Sequence, residues 1–334
     1  MLGRRRPDIA LRLTEKWVWD FWLARDGADY HVFYLQAPRS LVEQQLRHLS
    51  ASIGHAVSKD LQKWRVLPDA LHPGPRGAWD EDAVWTGSVV RGGETWHMFY
   101  TGVRTEEGSI VQRVGSATST DLTRWRKCPA NPLIEADPRH YGQRDEGSLG
   151  PERAWRDPWI FRHPRSGDYH ALITARAPEG SLDGRGVIGH ARSRDLAEWE
   201  TLPPLTEPGY FYALEVPQLV RIGRRYYLLF STWAEAHSAA RRQETRLEPV
   251  GGTHYLVAED PLGPFRYSTH DFLVGDPLGS LYSGKVVEGP DGHLCYLAWR
   301  NFAPDGAFVG ELADPLPIEV DGEGNLYVPW PDER

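Results

Sequence analysis

Gly54-His-Ala-Val-Ser-Lys-Asp-Leu-Gln-Lys-Trp64 returns as Gly115-Ser-Ala-Thr-Ser-Thr-Asp-Leu-Thr-Arg-Trp125 and again as Gly189-His-Ala-Arg-Ser-Arg-Asp-Leu-Ala-Glu-Trp199. Gly, Ala, Ser, Asp, Leu and Trp keep their places in all three. A looser copy runs from His254 to Phe265, with Asp260-Pro261 in place of Asp-Leu. Upstream of each copy lies an apolar strand core: Tyr30-His-Val-Phe-Tyr34, Trp96-His-Met-Phe-Tyr100, Tyr169-His-Ala-Leu-Ile173 and Tyr226-Tyr-Leu-Leu-Phe230. A fifth core, Leu294-Cys-Tyr-Leu-Ala298, has no signature after it, and terminal repeats are often atypical. The first half of the signature alternates small and polar residues, which suits a strand. Asp-Leu-x-x-Trp reads as a turn whose Trp covers an edge, so Asp60, Asp121 and Asp195 are expected to cap turns. His55 and His190 recur at one place in the signature and are read as scaffold.

A unit of roughly 60–70 residues holds about four short strands, the content of a propeller blade. Gly and Pro (33 and 26 residues) cluster where hairpins should turn, as in Arg91-Gly-Gly93, Arg165-Ser-Gly167 and Pro290-Asp-Gly292. No long stretch has helical periodicity with caps at both ends; Ser40 to His48 suggests one or two helical turns inserted in the first unit. The expectation is an all-β, five-bladed β-propeller as a single domain over residues 15–334, preceded by a tail over residues 1–14. A chain of 334 residues often divides in two, but all-β folds exceed that prior as one domain.

A formal charge of −8 argues against nucleic acid, which wants a basic footprint. Cys128 and Cys295 fall in different units and are expected to be free thiols, with no companion at metal-ligand spacing. No metal and no cofactor is therefore expected. No apolar run approaches the ~18 residues of a membrane span. The N-terminal Met-Leu-Gly-Arg-Arg-Arg lacks an apolar region after it, so no signal peptide is seen and a cytoplasmic protein is expected. Fourteen Trp and fourteen Tyr are many for this length; part of them is expected to pack blades and part to form sugar platforms, because an aromatic face suits the C–H face of a carbohydrate.

Stepping back ten to twelve residues from each strand core reaches Asp20, Trp85, Asp157, Glu215 and Tyr282. In a radial repeat, equivalent positions meet at the axis. Three of the five are acids, and close like charges resist ionising together, so their convergence needs a purpose. Each has apolar or aromatic neighbours, as in Trp17-Val-Trp-Asp-Phe-Trp22, Trp155-Arg-Asp-Pro-Trp159 and Ala213-Leu-Glu-Val-Pro217. Surface carboxylates rarely do. Glycoside hydrolysis uses such a set, with a carboxylic acid on one side of the scissile bond and a carboxylate on the other.

The same residues resemble glycoside hydrolase family 32, the β-fructosidases. Trp155-Arg-Asp-Pro158 matches that family's Arg-Asp-Pro motif. Leu214-Glu-Val-Pro217 resembles its Glu-Cys-Pro motif, with Val216 for Cys. Val84-Trp-Thr-Gly-Ser88 resembles Phe-Ser-Gly-Ser, and His55-Ala-Val-Ser-Lys-Asp-Leu61 matches a stretch of the first blade. The likeness runs in order over about residues 15–300. It departs at the first motif, Trp-Met-Asn-Asp-Pro-Asn-Gly in the family, where Trp19-Asp-Phe-Trp22 is closer to the Trp-Asp-Ser-Trp of family 68, the levansucrases and inulosucrases. It departs again in lacking the β-sandwich that usually follows the propeller.

The resemblance implies a nucleophile at Asp20, a general acid and base at Glu215 and a transition-state stabiliser at Asp157. Arg156 is expected to keep Asp157 charged. Trp85, Thr86, Ser88, Gln36, Trp19, Trp22, Tyr282 and Trp299 join Arg156 as expected sugar contacts, with Ser283 and Arg176 behind them. The implied partner is a carbohydrate, on a monomer or homodimer. Fructosyl transfer, the chemistry of arabinofuranosidase and xylosidase propellers, and sugar binding without catalysis stay open beside fructoside hydrolysis.

Overall fold

The computed structural model describes residues 9–147, 150–245, 247–270 and 272–329, and among them five mainly antiparallel sheets form the blades, with a separate two-stranded sheet of Glu319–Val320 and Leu326–Tyr327 after them. Blade I is Lys16–Asp26, Asp29–Pro38, Ser52–Ser58 and Arg65–Leu71. Blade II opens with Ala83–Gly92, Thr95–Glu106 and Ser109–Ser119, and takes Arg126–Lys127 and Gly150–Arg153 on its outer edge. Blade III is Trp155–Arg162, Tyr169–Arg176, Gly186–Ser193 and Trp199–Leu202. Blade IV is Glu215–Ile222, Arg225–Thr232, Gly251–Ala258 and Arg266–Tyr267. Blade V begins with Leu281–Glu288, Leu294–Phe302 and Phe308–Ala313. The first strands of successive blades touch one another, and that of blade V touches that of blade I, so the ring closes around an axis. The fold is a five-bladed β-propeller.

The closure corrects one expectation. Ile9–Leu11, read from sequence as part of a tail, is a strand antiparallel to Phe308–Ala313 and supplies the fourth strand of blade V. A three-residue strand with one buried side chain, Leu11, is too short for periodicity to reveal. Residues 1–8 lie outside the described residues.

The repeated signature does in space what its residue types suggest. Asp60, Asp121 and Asp195 each accept from the backbone N–H groups two and three residues on, and from the Ser two residues before. These bonds hold all three carboxyls below their ordinary range. The Leu that follows is left-handed each time, with φ of 62° at Leu61, 59° at Leu122 and 67° at Leu196. The Trp indoles donate back to those Leu carbonyls. Trp125 of blade II meets Phe33 of blade I edge-on at 5.5 Å, and Trp199 of blade III meets Phe99 of blade II at 5.2 Å. The signature therefore seals blades II and III each against the one before it. Phe265 of the looser copy packs into the cluster that holds Leu172 of blade III. His55 and His190 are scaffold: each is buried, stacked on and hydrogen-bonded to a strand-core His, His31 at 2.9 Å and His170 at 2.8 Å. Cys128 and Cys295 are free thiols. The insertion in blade I is a 3-10 helix over Gln44–Ser50.

Candidate active site

Every first strand breaks its ladder at one place. The register skips between Trp19 and Phe21, Trp85 and Gly87, Arg156 and Trp159, Glu215 and Gln218, and Tyr282 and Lys285. Before the break, Trp19, Trp85, Arg156, Glu215 and Tyr282 face Leu35, Thr101, Thr174, Ser231 and Trp299. Those five partners occupy one place in the strand core, so the five facing residues are equivalent. The bulge residues are Asp20, Thr86, Asp157, Val216 and Ser283. Four of them have positive φ: 26° at Asp20, 59° at Asp157, 50° at Val216 and 50° at Ser283. A bulge re-aims a side chain, and left-handed non-Gly residues concentrate at functional sites.

This pairing corrects the sequence alignment by one residue. Asp20 and Asp157 stand at the bulge itself, whereas Glu215 precedes it and Val216 takes the bulge position. The three acids still converge, because a bulge residue and its predecessor both border the axis. The position after the bulge is Phe21, Gly87, Pro158, Pro217 or Gly284. Pro fits there because the ladder is already broken and no N–H is missed. At Gly87 a Cβ would lie 2.0 Å from the Phe99 carbonyl oxygen, so only glycine is tolerated.

Asp20 Oδ1 accepts from Ser283 Oγ and from Trp299 Nε1 at 3.0 Å, which leaves Oδ2 without a bond among the described residues. Asp157 is clamped in the same way. Its Oδ2 accepts from Thr174 Oγ1 at 2.9 Å and the Val216 N–H at 3.2 Å, and Oδ1 has no bond among the described residues. Glu215 is held on both oxygens, by Arg156 Nη2 at 2.6 Å and Tyr282 Oη at 2.7 Å. Tyr282 and Ser283 are consecutive, so a single dipeptide of blade V holds both Glu215 and Asp20. Burial lifts the Asp20 carboxyl above its usual range, against the hydrogen bonds from Ser283 and Trp299.

Arg156 favours the charged form of Asp157 as expected, but it is bound chiefly elsewhere. Its guanidinium turns to Glu215 and stands 3.6 Å from Asp157 Oδ2, with Glu152 Oε1 at 3.7 Å on its far side. Burial outweighs it, and the Asp157 carboxyl is pushed up to about 7.

The acids open into a cavity of about 260 Å³. Trp19, Trp85, Thr86, Arg156, Tyr282 and Trp299 line it as the sequence suggested. Three expected sugar contacts do not. Trp22 is fully buried and stacks on Phe33 at 6.1 Å. Gln36 is buried in its sheet and donates to Ser52 Oγ at 3.3 Å. Ser88 is buried between blades and accepts from the Ile160 N–H at 2.9 Å. Arg176 also stays off the cavity wall, stacked on Tyr212 at 3.8 Å, which does line it.

Several other walls had no signal in the repeat. Gln45, Arg47 and His48 come from the 3-10 helix. Arg47 lies over the Phe308 ring at 4.0 Å and near Asp20, and the His48 backbone carbonyl fixes Trp85 by accepting its Nε1–H at 2.6 Å. Burial lowers the His48 imidazole to about 3, so it lines the cavity neutral. Leu35, Glu152, Tyr212, Val216, Trp233, Asn301 and Phe302 complete the lining. Among the described residues, no cluster of His, Cys, Asp and Glu is arranged to hold a metal ion.

Residues 23–301 match the family described as "Glycosyl hydrolases family 32 N-terminal domain". The chain is 27% identical to a cell-wall β-fructofuranosidase of Pisum sativum, over 92% of this chain and 55% of that protein. It is 24% identical to an extracellular sucrase of Zymomonas mobilis, over 96% of this chain and 83% of that one. The chain thus spans about half the length of the first of these relatives. Among solved structures, an inulosucrase from Halalkalicoccus jeotgali bound to kestose superposes with a TM-score of 0.76 at 24% identity, over 98% of this chain and 91% of that one. A β-fructofuranosidase of Bombyx mori superposes at 0.71 and 21% identity, over 97% and 65%. These two likenesses speak for the fold.

Proposed function

The chain belongs to glycosyl hydrolase family 32, and we propose that it is a retaining glycoside hydrolase that splits β-fructosides of the sucrose, inulin or levan kind by double displacement. The observation that carries this is the unequal holding of three acids around one cavity. Asp20 has one oxygen pinned and one free, the state of a nucleophile aimed at a carbon. Glu215 is held on both oxygens, by a guanidinium and a phenol that themselves line the cavity. The shared Tyr282-Ser283 support keeps the two acids adjacent, which suits the ~5–5.5 Å carboxyl spacing of retaining enzymes.

In the first step Asp20 Oδ2 attacks the anomeric carbon of the fructosyl unit. The bond to the leaving sugar breaks, and Glu215 gives its proton to the departing oxygen. In the second step Glu215 takes a proton from water as the water oxygen attacks the same carbon and releases Asp20. Asp157 offers Oδ1 to ring hydroxyls and stabilises the oxocarbenium-like transition state in both steps. Trp19, Trp85, Tyr282 and Trp299 give the ring its platforms.

Product analysis on sucrose, inulin, levan and an aryl α-L-arabinofuranoside tests the proposal, with methanol added to trap the intermediate. Free fructose, and methyl β-fructoside with retained configuration, are expected. Longer fructans in place of free fructose would assign transfer to a sugar acceptor through the same intermediate. Cleavage of the arabinofuranoside alone, or a product of inverted configuration, would overturn the reading.

A further inference from the structure

We propose that Lys285 is a positioning residue of this site: from beneath the cavity floor its ammonium fixes the backbone next to Glu215 and sets the charge felt by Asp20 and Asp157. The proposal rests on the fructoside reading for its kinetic consequences and on the structure alone for its effect on stability.

Lys285 lies two residues beyond the bulge in blade V. The equivalent residues of the other blades are Trp22, Ser88, Trp159 and Gln218, each facing the same place of the neighbouring strand core. That layer joins blades with neutral groups: Ser88 accepts from Ile160, and Gln218 pairs with the Val286 backbone in both directions at 2.8 Å. Lys285 puts a charge into it. The side chain is 2% exposed and does not reach the cavity wall. Its Nζ donates to the Val216 carbonyl at 2.6 Å. No carboxylate stands within ion-pair distance of it among the described residues.

Val216 makes this contact consequential. It follows Glu215, is left-handed, and gives its N–H to Asp157 Oδ2. One strained residue therefore joins Asp157 on its amide side and Lys285 on its carbonyl side, and it anchors the backbone that leaves Glu215. The groups that face Lys285 are Asp20 from blade I, Asp157 from blade III and the Val216 carbonyl from blade IV. The positive charge favours the ionised form of both aspartates, and burial works against them. A buried ammonium with one carbonyl partner destabilises the fold. Its place under the acids is what it contributes in return.

Lys285→Gln and Lys285→Met separate the two roles. Gln keeps a donor for the Val216 carbonyl and loses the charge; Met loses both. Both variants are expected to move the acid limb of the kcat/KM profile to higher pH, by several tenths of a unit to about one unit, because the aspartates lose their cation. kcat should fall about tenfold or more on that limb with KM changed less, and Met should fall further than Gln. An unmoved limb in both variants, or a Gln variant indistinguishable from wild type, overturns the proposal. Melting temperature against pH reads the same charge without substrate. Burial lowers the folded lysine to about 7 from 10.5. Between those values the unfolded chain binds a proton that the folded protein lacks, so wild type gains stability as pH rises there. Lys285→Met should melt above wild type at pH 6, with the gap narrowing toward pH 10. A constant gap, or failure of both variants to fold, overturns the claim that the charge is a cost to the fold. Wild type that turns over no fructoside while the gap narrows would remove the fructoside reading and leave the buried charge in place.

Discussion

Asp20 and Glu215 are the residues whose replacement tests the chemistry most directly. Asp20→Asn and Glu215→Gln keep shape and remove the nucleophile or the proton. Each should lower kcat on sucrose at least a thousandfold, roughly 4 kcal/mol of transition-state stabilisation, with the melting curve retained. Glu215→Gln should be spared on an activated fructoside whose leaving group needs little protonation. Near wild-type turnover by Asp20→Asn would remove it as nucleophile. Asp157 makes a different prediction, since its charge is costly to bury. Its carboxyl ordinarily titrates at 3.8 and stands at about 7 in the fold. Between those values the folded protein holds a proton that the unfolded chain has lost, so stability from this group is present at low pH and lost as pH rises through 7. Asp157→Asn removes the penalty while Arg156 keeps Glu215. At pH 8 the variant should be more stable than wild type by on the order of 1 kcal/mol, with the difference vanishing near pH 4. Its turnover should be lost and not restored by azide. Equal melting at pH 8 would mean that the charge is not a cost.

At the scale of the strand and the turn, the signature Asp-Leu-x-x-Trp carries stability and no chemistry. Asp121→Ala removes the acceptor for the Thr123 and Arg124 N–H groups and for Ser119 Oγ. That should cost about 1–2 kcal/mol with kcat unchanged, since the turn lies on the outer part of blade II. Thermal melts beside sucrose turnover decide it; a loss of kcat at a temperature where the protein is folded would tie the turn to the axis. These turns were legible in sequence because their geometry recruits particular residue types. The bulges were less so. A bulge inserts a residue without a required type, and Asp20, Val216 and Ser283 look like ordinary strand residues. One signal did exist. Pro158 and Pro217 occupy the same place after the bulge, and aligning them sets Val216, not Glu215, beside Asp157. The cavity walls from Gln45, Arg47, Trp233 and Asn301 had no repeat partner and no spacing rule, so only the fold brings them in.

The ring as a whole depends on a closure that local sequence hides. Blade V is completed by Ile9–Leu11, and blades I and V are further stapled by Arg39, which donates to Leu13 and Lys16 carbonyls and to those of Val309 and Gly310. Tyr30 and Arg25 tie the other end of the same seam to Glu288. Blade V also carries Tyr282, Ser283 and Trp299, the groups that hold Glu215 and Asp20, so the seam and the site share one element. Leu11→Asp places an unpaired carboxylate in the buried side of the closing strand. It should cost about 2–4 kcal/mol and lower the melting temperature. Because the nucleophile stands on blade I and its supports on blade V, loosening the seam should separate them before the other blades unfold. Heat inactivation of Leu11→Asp is therefore expected at a lower temperature than the loss of its far-ultraviolet dichroism, whereas the two coincide in wild type. Coincident transitions in the variant would mean that the five blades melt as one body and that the seam is no weaker than the rest of the ring.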